Sequence, residues 1–377
     1  MKLFSEQRKT LASIVSVLLF SVILASCGSS ANTPTTGSGN TPAAGNSNGK
    51  GCTKVGILLP ETASSARWDS KDKPLLTADI TAALPNATVD YANAQGNSAT
   101  QLNQAEADLT KGDCILVVGA HDSVAAAAIV AKAKQQNVPV IAYDRLIQSK
   151  DLSFYVSFDN VRVGELQGQY IVDHHKKGDH VAMINGSQTD NNAVLFKQGA
   201  ISKLQPLFDS GELKKVYDTF TPDWNNDTAR TEMDQALTQN GNNIQIAYVA
   251  NDGMANSVIA SLKAQHLNKR VPVTGQDATV AGIQNILTGD QAMTVYKAIT
   301  KEAQATASLV AAISKGEDTT SMINGQTKTS DGSSIPSILE TPVAVDKTNI
   351  ATTVIADGFV TKSDVCQGLP AGTGGIC

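Results

Sequence analysis

The sequence predicts an α/β fold of two lobes, each a doubly wound, mostly parallel sheet with helices on both faces. Three observations lead there. From residue 53 onward, short β-branched runs alternate with longer stretches whose apolar residues recur at helical spacing, as in "SVAAAAIVAKAKQQN". Roughly 325 residues lie beyond the low-complexity N-terminal region, more than one core comfortably serves. Polar side chains also recur just after run upon run, where open parallel sheets bind ligands.

Taken in order, the chain opens with Lys2, Arg8 and Lys9, then an apolar run from Leu11 to Ala25 ending in "LASCGSS". A basic end, a short apolar stretch and small residues predict a secretory signal over 1–26, and the run is short for a stable membrane span. The ending Leu24-Ala25-Ser26-Cys27 resembles a bacterial lipoprotein signal, which implies lipidation of Cys27 and a membrane anchor. An ordinary signal peptide that happens to carry a cysteine is the competing reading. Residues 28–51 are nearly all Gly, Ser, Thr, Asn, Ala and Pro. With little apolar surface to offset the entropy of ordering, residues 27–51 read as a lipidated Cys plus flexible tether. Removing residues 1–26 takes away three basic groups and one acidic group, moving the formal charge from −5 to −7. That balance, without a basic cluster, argues against nucleic acid as a partner.

Four cysteines remain beyond Cys27. Cys52 opens the run "CTKVGILL" and Cys114 opens "CILVVGA". Neighbouring parallel strands with aligned starts would bring these two together. Cys366 and Cys377 bracket a Gly-rich tail over 366–377 and would pair with each other. Such bridges contribute roughly 3–4 kcal/mol each by loop entropy and suit an oxidising compartment. Free buried thiols are the alternative.

The predicted strands include "KVGILLP", "ATVDYANA", "CILVVGA", "VPVIAYD", "FYVSFD", "HVAMING", "KVYDTF", "IQIAYVAND", "VPVTGQD" and "AMTVYK". After them come Arg67 and Trp68, Asp144 and Arg145, Asp159 and Asn160, and Asp190, Asn191 and Asn192. Asn251 and Asp252, Gln276 and Asp277, and Lys297 follow in the second half. Asp and Asn at such junctions are also ordinary helix N-caps, worth about 1 kcal/mol. Arg145 and Lys297 are not caps.

Carboxylates, cations and side-chain amides together match the donors and acceptors of hydroxyl groups. Both tryptophans, Trp68 in "SSARWDSKDK" and Trp224 in "TPDWNNDT", sit among polar residues. An indole offers a flat apolar face suited to the C–H face of a pyranose. A sugar ligand accounts for both features; packing of each loop against its own lobe is the plainer reading. Enzyme chemistry finds little support. There is no Walker loop, no G-x-G-x-x-G after the first strand, no nucleophile elbow and no His/Cys metal-ligand spacing. The five histidines are scattered, with His121 alone near the binding end. No cofactor or metal is expected. A glycosidase would need two carboxylates flanking a bond, which sequence cannot place.

"YDRLI", "YVSFDNVRVGELQG", "TDNNAVLFKQGA", "NDGMA", "GQDAT", "MTVYKAI" and "DKTNI" resemble the ribose/galactose-type group of periplasmic binding proteins of bacterial ABC transporters, and within it those that bind D-xylose. The resemblance runs from about Lys54 to Val360. It implies a type I clamshell, with lobes at 53–158 plus 298–340 and at 159–297 plus 341–365. Three crossings would fall near Phe158–Val161, Val295–Thr300 and Thr341–Asp346. Carried over by motif, the ligand-binding residues are Arg67, Trp68, Arg145, Asp190, Asn191, Asn192, Trp224, Asn251, Asp277 and Lys297, with the asparagines of "DNN" as direct contacts. The implied function is extracytoplasmic capture of a monosaccharide, D-xylose first, by a monomer that delivers it to a membrane permease. "PETASSARW" departs from the acidic, leucine-rich first loop of the better-known proteobacterial pattern, which leaves glucose, arabinose or galactose open.

Readings from other classes remain beside it. The same fold serves sugar-responsive repressors, but the signal and tether stand where their helix-turn-helix would be. Presenting bound sugar to a membrane sensor would be compatible with transport. A sugar-modifying enzyme would show turnover.

Overall fold

The computed structural model describes residues 47–377. The signal over 1–26, the lipidation of Cys27 and most of the expected tether lie outside the described residues. The last stretch of that expected tether, 47–51, is folded: the Gly51 amide donates to the Ser314 carbonyl at 2.6 Å. A Cβ on Gly49 would meet Ile313 at 2.8 Å and Pro139 at 2.9 Å.

The first lobe is built from β1 (Lys54–Leu59), α1 (Lys73–Ala83), β2 (Thr88–Asn93), α2 (Ser98–Lys111), β3 (Ile115–Val118), α3 (Ala127–Gln135), β4 (Val140–Tyr143) and β5 (Phe154–Phe158). These strands lie parallel in the order β5-β4-β3-β1-β2. Every residue of β3 and β4 is buried, because helices cover both sides of the sheet and no strand face meets water. Alternation shows in β1: Ile57 and Leu59 pack with Leu76, Ile80 and Val310, whereas Leu58 packs with Ala105, Leu109 and Ile129.

The second lobe takes α4 (Asn160–His174), β6 (Asp179–Asn185), α5 (Asn191–Asp209), β7 (Leu213–Phe220), α6 (Asn226–Gln239), β8 (Ile246–Val249), α7 (Asp252–Ala264), α8 (Val280–Thr288) and β9 (Met293–Tyr296). Its parallel core is β7-β6-β8. "VPVTGQD", expected as a strand, contributes only a single parallel bridge, Val273 to Ala247. The reason is local: the Thr274 hydroxyl takes over both backbone groups of Val249, at 2.8 Å from its N and 3.0 Å from its O. Backbone bonds from Ala292 to Val273 and from Val295 to Gly275 still tie β9 to this segment.

The chain then returns through α9 (Ile299–Lys315), β10 (Gly325–Lys328) and β11 (Ser334–Glu340) to the first sheet, where β11 pairs parallel with β5 and antiparallel with β10. It crosses back to β12 (Val343–Asp346), antiparallel to β9, and ends beyond α10 (Lys362–Cys366). Strands β10 to β12 are absent from the predicted runs. Three connections therefore join the lobes, after Phe158, after Tyr296 and after Glu340. Cys52 is bonded to Cys114 with Cα atoms 5.5 Å apart, and Cys366 to Cys377 with Cα atoms 5.3 Å apart. The first pair sits at the aligned starts of β1 and β3.

Candidate functional site: a polar cavity between the lobes

The carboxyl ends of both sheets face a common, narrow polar cavity. Nine of the ten sequence-predicted residues line it: Arg67, Trp68, Arg145, Asp190, Asn192, Trp224, Asn251, Asp277 and Lys297. Asn191 does not. Its side chain turns to the rim, where the Asn191 Oδ1 accepts from Gln148 at 3.0 Å. Asp144, Ser64, Ser65, Phe196 and Gln276 complete the lining. His121 stands in a neighbouring opening, 3.9 Å from Asp223 across the lobes.

Asp144 is the hub on the first-lobe side. Its Oδ2 accepts from Lys297 at 2.8 Å and from Arg67 at 3.1 Å, and its Oδ1 accepts from Asn192 at 3.0 Å. Two further donors, Tyr155 and Ser157, join the same Asn192 side-chain amide in holding its backbone carbonyl. The backbone at Asp144 is left-handed, with φ 60°, and the Arg145 amide closes a tight turn onto Tyr143 at 2.7 Å. Trp224 (φ 54°) and Asp277 (φ 100°) share that uncommon conformation. Non-glycine residues persist there only where surrounding bonds over-determine them, and such positions gather at ligand sites.

Arg67 is fixed by a two-pronged pair with Asp72, at 2.9 and 2.7 Å, which in turn accepts from Tyr143. Its guanidinium lies 4.5 Å from the Trp68 ring centre, and that of Arg145 lies 5.2 Å away. Trp68 is thus flanked by cations, which an indole face attracts. Across the cavity, Asp190 Oδ2 accepts from Trp224 Nε1 at 3.1 Å and forms an ion pair with Arg145, whose Nε lies 2.8 Å away. The Trp224 ring rests on Gly186, where a Cβ would come within 2.1 Å of the indole. Any larger residue at 186 would evict the ring.

Asp190 and Asn251 serve twice. Asp190 accepts from the Asn192 amide at the start of α5, and Asn251 from the Met254 amide at the start of α7, while both line the cavity. Acting as a helix cap thus does not keep either residue from facing the cavity. Asp159 is a cap alone, accepting from the Arg162 amide.

Three cations and several carboxylates share one buried space, and their protonation follows from their partners. Burial opposes the charge of Asp144, but Arg67 and Lys297 hold its carboxyl well below the usual carboxylate range. Burial raises Asp190 and Asp277, against the pull of Arg145 on the first and of Arg67 and Lys297 on the second. Glu302 lies fully buried under the cavity floor in the first turn of α9, 3.6 Å from Arg67. Neither of its carboxyl oxygens has a hydrogen-bond partner among the described residues. Burial, with the nearby Asp144 charge, pushes its carboxyl well above the ordinary range, against the pull of Arg67 and Lys297. The arrangement offers directed donors and acceptors with two aromatic faces, and it holds no paired nucleophile and base.

The profile of the periplasmic binding protein domain matches residues 58–318. Over 313 residues the chain is 38% identical to a D-xylose-binding periplasmic protein of Haemophilus influenzae, covering 83% of this chain and 92% of that one. Identity is also 38% over 315 residues to the D-xylose-binding periplasmic protein of Escherichia coli, covering 83% and 92%. Among solved structures, a carbohydrate transporter solute-binding protein from Chloroflexus aurantiacus in complex with D-glucose superposes with a TM-score of 0.76. It is 29% identical, and the match covers 82% of this chain and 97% of that one. With its profile match, its two lobes and its three crossings, the chain belongs to the periplasmic binding protein family.

Proposed function

We propose that the protein is an extracytoplasmic sugar-binding component of an ABC transporter, which captures one aldose, D-xylose first among candidates, between its lobes and delivers it to a membrane permease. One observation carries this reading: Trp68 from the first lobe and Trp224 from the second line a single cavity otherwise walled by Asp, Asn, Arg and Lys. Aromatic faces match ring C–H groups, and the polar groups match a dense set of hydroxyls. The named ligands of the relatives point the same way: xylose for the two similar sequences, glucose for the solved structure. Roles in ligand contact go to Trp68, Arg145, Asp190, Asn192, Trp224, Asn251, Asp277 and Lys297, with Arg67 and Asp144 orienting them. A sugar bridging both lobes gains its full set of contacts only when they are closed, so it biases the hinge by that difference in affinity. Anchoring through a lipid on Cys27, and action as a monomer, belong to the same proposal.

Isothermal titration calorimetry against D-xylose, D-glucose, L-arabinose, D-ribose and D-galactose tests it. One-to-one binding strongest for xylose, without turnover, is the expected result. Strongest binding of another aldose would retain sugar capture and discard xylose. No binding to any of the five would overturn the sugar reading.

A further inference from the structure

At the end of the first sheet opposite the cavity, three carboxylates converge from separate elements. Asp90 comes from β2, Asp108 from α2, and Asp113 from the turn before β3. One ligand atom from each lies within 4.8 Å of the others. Asp108 and Asp113 are buried, at 3% and 2% exposure. Both oxygens of Asp113 and Oδ2 of Asp108 have no hydrogen-bond partner among the described residues. Buried carboxylates without donors are costly, and each such group calls for an explanation.

The Asp113 carboxylate, 2% exposed with both oxygens unpartnered among the described residues, points to a ligand rather than to chance crowding, and the packing leaves it room. Gly56 of β1 is the cross-strand partner of Asp90. A Cβ there would lie 2.9 Å from Asp113 Oδ2 and 3.2 Å from Asp108 Oδ2. The missing side chain lets the orphaned oxygens crowd the sheet. The nearest cation is Lys111, whose Nζ donates to Asp108 Oδ1 at 2.9 Å and lies 3.9 Å from Asp90 Oδ2, with its side chain 56% exposed. Lys54 is turned to the Lys111 carbonyl. Neither forms an ion pair with Asp113.

We propose that Asp90, Asp108 and Asp113 bind one calcium ion, which ties β2, α2 and the start of β3 together beside the Cys52–Cys114 disulfide. An all-oxygen, all-carboxylate donor set suits a hard cation. Oxygens on one calcium ion, at 2.3–2.6 Å each, reach at most about 5 Å apart, against about 4 Å for magnesium. Oxygens within 4.8 Å of one another can share one calcium shell completed by water, whereas magnesium demands near-ideal octahedral geometry and gives up its water reluctantly, so three converging carboxylates suit it less.

The test is thermal unfolding of the full chain after treatment with chelator, then with millimolar calcium or magnesium chloride at constant ionic strength. Calcium titration by calorimetry accompanies it, and no sugar is added. Calcium is expected to raise Tm by about 3 °C or more, with one-to-one binding and a much smaller effect of magnesium. Asp113→Asn is expected to raise Tm in chelator, because it removes a buried like charge, and to abolish the calcium response. Asp90→Asn, at a half-buried position that tolerates change, should weaken that response at least tenfold in calcium concentration. An absent calcium shift, an equal shift with magnesium, or the same response in wild type and Asp90→Asn would overturn the proposal.

Discussion

Arg145 of the first lobe reaches across the cavity to Asp190 of the second, with Nε 2.8 Å from Oδ2 and both side chains under 10% exposed. The pair bridges the two lobes, so separating them would return both groups to water. Truncating one partner of a buried charge pair at an interface costs about 2–5 kcal/mol, much of it from leaving the other charge unpaired. Arg145→Ala should therefore weaken sugar binding by about 30-fold or more, with most of the change in the dissociation rate. Stopped-flow fluorescence with the favoured aldose would measure it; an unchanged dissociation rate would remove Arg145 from the closing contact.

Neighbouring asparagines should behave differently. Asn192 joins Asp144, Asn160 and the cavity, whereas Asn191 bonds to Gln148 at the rim. Asn192→Ala leaves buried donors and acceptors unmatched and should cost about 1–3 kcal/mol of binding. Asn191→Ala should change affinity less than threefold. Calorimetry on the two variants decides between them.

Asp144 sets a pH limit on stability. Its carboxyl is lowered in the folded protein, so its contribution is fully present above the unfolded carboxylate pKa near 4 and is lost as pH falls below it. Denaturant melts from pH 3 to 7 should show a loss of stability below about pH 4 that is smaller in Asp144→Asn. At neutral pH the same variant leaves Lys297 and Arg67 short of an anion. It should be destabilised by about 3–5 kcal/mol, the usual result of breaking a buried pair.

Glu302 has the opposite sign. Because its pKa is raised on folding, the native state holds a proton that the unfolded chain releases above about pH 4.3, and stability falls as pH rises from there. Glu302→Gln keeps the shape of the neutral acid and removes that linkage. The difference in Tm between wild type and Glu302→Gln should widen in favour of the variant from pH 4 to pH 8. A constant difference would mean that Glu302 is charged in the folded protein.

Much of this was legible in the residues themselves. Parallel strands buried on both faces announce themselves as unbroken runs such as "CILVVGA", and the groups after them fall at one end of the sheet by topology alone. Hence nine predicted residues reach one cavity. Strands β10 and β12 were hidden because each is four residues long and partly exposed, carrying little apolar pattern. Phe196 reads in sequence as one more core residue of an amphipathic helix. Glu302 looks like an ordinary acid favoured by a helix start; only the packing of α9 beneath Arg67 shows that it has lost its water. Asp144 stood beside Arg145 in "YDR", yet nothing local reveals that Lys297, far along the chain, shares its oxygen with Arg67.

Strand β11 completes the first sheet beside β5, although residues 159–333 come between them. During synthesis at roughly 5–20 residues per second, β5 is left with an open edge for on the order of ten seconds or more. Such an edge is a template for unwanted pairing. Strands β6, β7 and β8 all lie within residues 179–249, so their sheet can form while that edge still waits. The sheet that begins first is thus completed only after the parallel core of the second can have formed.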